Sequence, residues 1–496
     1  MYQEYLIHPL AFAVINILEK LKLTSMKRTI FILCALFTTF TIMAQTLDGN
    51  WTGKLNVMGT QLNIIFNITK VDGNALVCTM DCPDQGVKNI PADIIVTDGV
   101  NVKINVNAIN ASYEGKLKDD LIEGTFSQSG MSFPLNLKME AMEIRRPQTP
   151  KEPYPYKTEE VSFTNTTDNV TLSGTLTYPL GYEKGASRSV PLVVMVTGSG
   201  QQNRDEELLE HKPFLVLADY LARNGIASLR YDDRGTGKST GDVTNTTTEN
   251  FMKDALAAVD FARNTKNFGH VGVLGHSEGG TIAFMIGAQG KADFIVSLAG
   301  LGVKGADILL AQNQFGLLQN GTPVQVVTDF RKVLVKVLRV MSSSERVPNP
   351  AAKVQKIAEE ADVTIPAPLM QDLAQSIDLC TPWLRYFINY DPAADIRAVK
   401  CPVMAINGSK DTQVFAEENL PTIRRLLPES NLNIVKEYPG LNHLFQHCTT
   451  GLPIEYFQIE ETMSPEVMQD ITIWIKKVTE NKNLNHESLC HIYFLI

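Results

Sequence analysis

Cysteine is scarce in this chain, with 7 among 496 residues, so a disulfide framework is not what holds it together. Neither a Cys-x-x-Cys pair nor a His-Glu-x-x-His helix motif occurs, and nothing in the sequence calls for a metal. Positive charge is in the minority, 45 Lys and Arg against 54 Asp and Glu, for a formal net charge of −9. With no basic stripe interleaved with aromatics, a nucleic-acid partner is excluded. Long apolar runs are also missing apart from residues 26–44. That segment has a short basic start, an apolar stretch and a small residue at its end, the pattern of a secretory signal peptide cleaved between Ala44 and Gln45. It is short for a membrane span, and a retained signal anchor is the alternative. Met1–Ser25 stand upstream, with Met26 a candidate start. The expected location is periplasmic or secreted.

What the chain does have is concentrated at residues 272–280, which read Gly-Val-Leu-Gly-His-Ser-Glu-Gly-Gly. A short apolar strand ends in Gly-x-Ser-x-Gly, and a small-residue helix follows. In that setting the serine sits on a tight turn with its hydroxyl projecting from the sheet edge, as a nucleophile requires. Gly275 and Gly279 leave room where a Cβ would collide. Ser277 is therefore the candidate nucleophile.

A serine hydroxyl needs a histidine to take its proton and a carboxylate to orient that histidine. Four histidines follow Ser277: His443, His447, His486 and His491. Residues 401–407 read as a buried strand, and the loop after it puts Asp411 at the strand's C-terminal end. Residues 431–438 read as the next strand, and its loop, Pro-Gly-Leu-Asn-His, presents His443 at the same edge. Open α/β sheets place their sites at that edge. The assignment is Ser277, Asp411 and His443. Asp411 could instead serve only as a turn residue. His447, four residues beyond His443, is the competing base. His276 is expected to pack against or hydrogen-bond the turn, and His486 and His491 fall in a peripheral tail.

The strand at 190–197 is followed by Gly-Ser-Gly-Gln, whose amides are placed to stabilise an oxyanion together with the amide after the nucleophile. The nominated donors are the N–H groups of Ser199 and Glu278; no role is assigned to the Glu278 carboxylate. Two glycine-bearing runs fail as nucleotide motifs. Asp233-Arg-Gly-Thr-Gly-Lys-Ser239 has Asp232 where a phosphate loop needs glycine, and the run starting at Gly198 lacks the last glycine of a dinucleotide fingerprint. The first is expected to shape the rim of the site.

Residues 47–140 are nearly free of helical spacing. Runs such as 61–68 and 102–107 alternate polar with apolar residues between Asp-Gly turns at 72–73 and 98–99, implying an antiparallel sheet or small barrel. An accessory role is favoured for it over binding of an apolar or glycan ligand. Cys78 and Cys82 flank an expected turn and are either paired or buried thiols. A proline-rich linker spans 141–158. From 159 to 480 strands alternate with amphipathic helices, implying a largely parallel sheet covered on both faces. Residues 214–224, 250–264 and 281–288 are helical by spacing, and 463–479 is the closing helix. Between about 302 and 395 the pattern turns helical and polar, with an amphipathic stretch at 332–340 and a proline break at 347–350. This reads as a cap over the site. Residues 481–496 are a tail that fits no element.

Gly275-His-Ser-Glu-Gly-Gly280, Tyr231-Asp-Asp-Arg-Gly-Thr-Gly-Lys-Ser239, Thr197-Gly-Ser-Gly200 and Gly440-Leu-Asn-His443 together resemble the α/β-hydrolase superfamily. Within it they are similar to secreted bacterial esterases grouped with serine aminopeptidase-like hydrolases. The resemblance covers about residues 160–480. It implies an α/β-hydrolase fold with a helical cap, hydrolysis through an acyl-enzyme and no cofactor. Thr197 stands where many relatives carry histidine. The opening Gly49-Asn-Trp-Thr-Gly resembles the first strand of lipocalin-like barrels. The expected substrate is a small-molecule or glycan ester. The rivals are a serine aminopeptidase, which would need an anionic subsite that Glu359 and Glu360 could supply, and a binding protein acting through its β domain.

Overall fold

A computed structural model describes residues 47–57, 60–70, 76–139, 146–183, 190–265 and 268–492. The segment expected to be a signal peptide, residues 26–44, lies outside the described residues. The described residues form two compact units, one carrying those up to Met139 and the other built on Arg146–Glu455 and the segment from Ile459.

The first unit follows directly from its alternating pattern. Eight strands close into an antiparallel barrel in simple chain order. They are β1 (Gly49–Val57), β2 (Thr60–Lys70), β3 (Leu76–Cys82), β4 (Val87–Thr97), β5 (Asn101–Val106), β6 (Ala111–Lys118), β7 (Leu121–Gln128) and β8 (Met131–Met139). Closure comes where Trp51 and Thr52 pair with Met139 and Lys138, leaving no open edge. Inward residues fill the interior with side chains: Trp51, Phe66, Ile104 and Tyr113 are fully buried. The polar tips that enter this core find partners, Trp51 Nε1 donating to the Leu47 carbonyl (2.9 Å) and Tyr113 Oη to that of Ile122 (3.0 Å).

One expectation fails here. Cys78 and Cys82 do not flank a turn; both lie on β3, buried as free thiols. Their side chains share one face of an extended strand about 13 Å apart, at ~3.3 Å per residue, beyond the reach of a disulfide. The strand wins because alternating burial continues through Met80 to Cys82. Burial pushes both thiols up to about 12.

The second unit holds an eight-stranded sheet ordered β16-β15-β14-β13-β11-β12-β10-β9. These are β9 (Thr158–Asn165), β10 (Val170–Thr177), β11 (Pro191–Val196), β12 (Ala227–Tyr231), β13 (His270–His276), β14 (Ile295–Leu298), β15 (Val403–Gly408) and β16 (Ile434–Tyr438). β9 and β10 are antiparallel, and the six from β11 to β16 are parallel. A sheet covered on both faces needs apolar residues at every position. β11 shows it: Leu192, Val194 and Val196 enter one core, Val193 and Met195 the other. The first core is completed by α2 (Thr248–Asn264) and α3 (Glu278–Ala288), the second by α1 (Pro213–Arg223) and the terminal helix.

Five helices stand between β14 and the return to the sheet: α4 (Gly305–Gln319), α5 (Val324–Ser342), α6 (Pro350–Glu360), α7 (Ala367–Asp378) and α8 (Pro382–Asn389). They share a core of their own around Val333, Val337, Val354 and Leu373. The insertion leaves and returns through a narrow neck, where Gly305 N–H donates to the Tyr390 carbonyl (3.1 Å) and Lys304 pairs with Asp391 (3.5 Å). A Cβ at Gly305 would lie 1.9 Å from the Phe387 carbonyl oxygen, so the two strands of the neck touch. The short helix α9 (Ala393–Ala398) then leads into β15, α10 (Ala416–Leu426) joins β15 to β16, and α11 (Pro465–Ile492) ends the description. α11 runs well beyond the stretch of apolar spacing that ends at Thr479, because no proline or glycine follows to stop it. No helix among the described residues is long and apolar enough to cross a membrane.

Candidate active site

The turn between β13 and α3 is as tight as its glycines imply. Ser277 takes φ 55° and ψ −115°, a conformation that a non-glycine residue adopts only when its surroundings enforce it. The enforcement is visible on both sides. A Cβ on Gly275 would sit 1.9 Å from the Gly279 carbonyl oxygen, and one on Gly279 would sit 2.1 Å from that of Val196. The Ser277 N–H donates to the Leu298 carbonyl (2.8 Å), tying the turn to β14. Ser277 thus stands immediately before the N-terminus of α3, at the C-terminal edge of the sheet.

Asp411 and His443 follow β15 and β16 at that same edge. Asp411 Oδ2 accepts from His443 Nδ1 at 2.7 Å, and both side chains are buried. Asp411 Oδ1 accepts from the amides of Gln413 and Val414, each at 2.8 Å, so the carboxylate is fixed by its own loop. The His443 loop is folded around Asn442, whose Oδ1 accepts from the Leu444 and Gln446 amides. His447 goes elsewhere: it is largely exposed and pairs with Glu461 Oε2 at 2.8 Å. The structure draws no hydrogen bond from the Ser277 hydroxyl to His443 among the described residues.

The loop after β11 is clamped by two buried carboxylates. Glu206 Oε1 accepts the Gly198 N–H (2.9 Å), while Asp233 accepts from Thr197 Oγ1 (2.9 Å) and from the Gln202 N–H (2.9 Å). Burial drives the Asp233 carboxyl well above the usual range, against those hydrogen bonds, and the neighbouring Asp254 and Glu278 add to the rise. The amide of Ser199 lies next along the clamped loop. That of Glu278 is the first of α3 and so has no intrahelical acceptor. A small cavity beside the loop is bounded by Thr197, Gly198, Tyr231, Asp233, Phe251 and Glu278.

The Glu278 side chain gains partners that no pattern announced. Its Oε1 accepts from Thr248 Oγ1 (2.6 Å) and from Trp383 Nε1 (2.9 Å), a residue of α8 in the insertion. Burial raises its carboxyl above the ordinary range, opposed by hydrogen bonds from Thr248, Trp383 and Ser199. Trp383 in turn stacks on Phe387, ring centroids 5.5 Å apart. Glu359 and Glu360 lie exposed on α6; Glu359 accepts from Gln355 and Glu360 pairs with Lys356.

A nucleophile-type turn at the edge of a mostly parallel sheet, followed in the chain by an acid and a histidine that pair, coincides with a family match. The protein-family model described as serine aminopeptidase, S33, matches residues 211–446. The chain resembles that family over just under half of its length. Among curated proteins it is similar to esterase EstD of Thermotoga maritima, 27% identical over 310 residues, covering 62% of this chain and 66% of that one. The match thus spans just under two thirds of the relative's length. Among solved structures, an esterase of Pyrococcus furiosus has a TM-score of 0.39 at 15% identity, over 68% of this chain and 99% of that one. Est1E of Butyrivibrio proteoclasticus, with ferulic acid bound, has a TM-score of 0.37 at 15% identity, over 62% and 96%. The proline iminopeptidase of Mycobacterium smegmatis has a TM-score of 0.39 at 14% identity, over 65% and 100%.

The run from Asp232 to Ser239 is scaffold for the clamped loop. Asp232 pairs with Arg204 (2.7 Å), Asp233 holds the loop itself, and Arg234 grips Asp254 through Nε at 2.7 Å and Nη2 at 2.8 Å. The residues that sequence reasoning missed are Glu206 and Trp383. Glu206 hides in the acidic run Asp205-Glu-Glu, where its burial and its φ of +54°, both invisible in the sequence, set it apart. Trp383 could have been singled out as one of three tryptophans, standing in the insertion.

Proposed function

We propose that the protein is a serine hydrolase that cleaves carboxylic esters through an acyl-enzyme. The observation that carries this reading is the 2.7 Å contact between buried His443 and Asp411 at the sheet edge that bears Ser277 on its strained turn. Ser277 attacks the ester carbonyl while His443 Nε2 takes its proton, and Asp411 holds the imidazole with Nδ1 protonated. The amides of Ser199 and Glu278 stabilise the oxyanion. His443 returns the proton to the departing alcohol, and water then releases the acid by the same route. No step calls for a metal or cofactor. The insertion supplies the acyl pocket, with the Trp383–Phe387 stack on its site-facing helix. The likeness to an esterase of Thermotoga maritima supports ester over amide substrates. The substrate would be a small-molecule or glycan ester met in the periplasm or outside the cell, after removal of residues 26–44. The barrel is an accessory domain: its interior is filled by Trp51, Phe66 and Tyr113 rather than open to a ligand.

A serine aminopeptidase is the second reading, favoured by the family description. Glu359 and Glu360 do not support it, because both are exposed and engaged on α6. The test compares residues 45–496 with Ser277→Ala on matched nitrophenyl esters and aminoacyl nitroanilides. Ester turnover should fall by roughly 10⁴- to 10⁶-fold in the variant. Preferential anilide cleavage would move the protein to the peptidases, and equal turnover by both proteins would refute the nucleophile.

A further inference from the structure

His276, the residue before the nucleophile, is buried between two hydrogen-bond acceptors. Its Nδ1 lies 2.9 Å from Glu206 Oε1, and its Nε2 lies 2.9 Å from the backbone carbonyl oxygen of His443. A carbonyl can only accept, so Nε2 must carry a proton. Glu206 Oε1 already accepts the Gly198 amide, which favours its accepting from Nδ1 as well. A neutral imidazole has one N–H and cannot serve both positions. The arrangement therefore calls for an imidazolium beside a carboxylate, with 8% and 5% of their side chains exposed.

The geometry points to Glu206 and His276 as a charged positioning pair, in which the two N–H groups of the imidazolium tie the oxyanion loop to the loop that presents His443. The path is continuous: Gly198 N–H to Glu206, Glu206 to His276, His276 to the His443 carbonyl. One end is the loop that offers Ser199, and the other is the backbone of the general base. The inference rests on the reading of Ser277, Asp411 and His443 as the reacting groups. Neither Glu206 nor His276 touches the substrate; both act through what they hold. The titratable groups that face His276 are Glu206 from the loop before α1, Asp411 from the loop after β15 and His443, whose ring centroid is 4.6 Å away. Phe445 closes the remaining side, 6.5 Å between centroids. Burial opposes the charge, and Glu206, the His443 carbonyl and Asp411 outweigh it, holding the His276 proton above the usual histidine range.

When that proton is lost, one ring nitrogen becomes a lone pair facing an oxygen, and one of the two loops is released. The pair thus sets an alkaline limit on turnover that is separate from the protonation of His443. The test is the pH profile of kcat and KM on a nitrophenyl ester for wild type, Glu206→Gln and His276→Gln, with Ser277→Ala measured in parallel. In wild type, kcat should hold well above the ordinary histidine pKa of about 6.5 and then fall by tenfold or more on the alkaline side. In Glu206→Gln the same fall should arrive at least about one pH unit lower, because the cation has lost its counter-charge. His276→Gln keeps a donor for the His443 carbonyl and has no proton to lose, so its kcat should be reduced and flat across that limb. KM should change little in either variant.

A folded Glu206→Gln with the wild-type profile would overturn the pair. Should the variants not fold, nitrogen NMR of histidine-labelled wild type decides the matter. An imidazolium signal persisting above neutral pH and vanishing with kcat supports the inference, and a neutral His276 in active enzyme overturns it. Undiminished turnover by Ser277→Ala would instead refute the reading of the site, so the two failures are distinct.

Discussion

The two units bury very different things. Among the described residues of the barrel, the buried polar side chains are Asn63 and Asp84. The α/β unit buries Glu206, Arg230, Asp233, Arg234, Asp254 and Glu278, besides Asp411 and His443. Burying a charge is costly unless it is paired and hydrogen-bonded, so each of these must be held by neighbours in one geometry. A barrel can be built from alternation and turns alone. A site that moves protons, as proposed for the α/β unit, needs charged groups kept away from water, and the surrounding fold has to supply partners for all of them. The difference shows which unit carries a tightly specified geometry: the clamps of Glu206, Asp233 and Asp411 all converge on the loops around Ser277.

The comparison can be broken at several points. Asp411→Asn keeps the shape but offers His443 the wrong hydrogen-bonding group, and kcat should fall by roughly 10⁴-fold with the melting temperature little changed. A large loss of stability instead would make Asp411 a structural turn residue. In the barrel, Trp51→Ala removes a fully buried indole and should cost about 3–5 kcal/mol of that unit's stability, read by chemical denaturation. Ester turnover below the barrel's transition should remain; its loss would show that the barrel is more than an accessory. Trp383→Phe removes one donor from Glu278 while keeping the ring. A loss of about 1–2 kcal/mol, read as a five- to thirty-fold fall in kcat/KM that varies with acyl length, is expected. Uniform loss over all esters would detach Trp383 from the acyl pocket.

The smallest effect concerns pH and stability. His276 holds its proton more tightly folded than unfolded, so its contribution is complete below about pH 6.5 and is lost as pH rises through the folded value. Each unit of separation is worth about 1.4 kcal/mol. The denaturation midpoint should therefore decline on the alkaline side, and Glu206→Gln should flatten that slope.

Much of this was legible from residues alone, for a physical reason. Alternation has period two, and a closed antiparallel barrel asks for little else, so residues 47–139 were readable as sheet. The elbow was readable because the close approach of its backbone leaves Gly275 and Gly279 no substitute. Partnerships across long sequence separations left no period. Glu206 meets His276 from another loop, and Trp383 reaches Glu278 from the insertion; neither contact alters the local spacing of either partner. The misplaced turn at Cys78 and Cys82 has the opposite cause. Asp81 resembles a turn residue, yet on β3 it accepts from Asn67 of β2 at 2.9 Å and so belongs to the strand. Thr197 is another long-range case, since its hydroxyl donates to Asp233, 36 residues away, and no local pattern announces the contact.

The pinched neck at Gly305 and Tyr390 has a consequence for how such a chain can diverge. The chain from 305 to 390 leaves and returns at one point and has its own apolar centre, and it meets the rest through a few side chains such as Trp383 on Glu278 and Gln312 on the Gln413 carbonyl. The sheet therefore experiences the insertion as a loop with closely spaced ends, and lengthening such a loop costs only about 0.6 kcal/mol per doubling. Helices can be gained, lost or exchanged there as a cassette while the strands beneath keep their register. Substrate range can drift quickly in this architecture, and the chemistry can stay where it is.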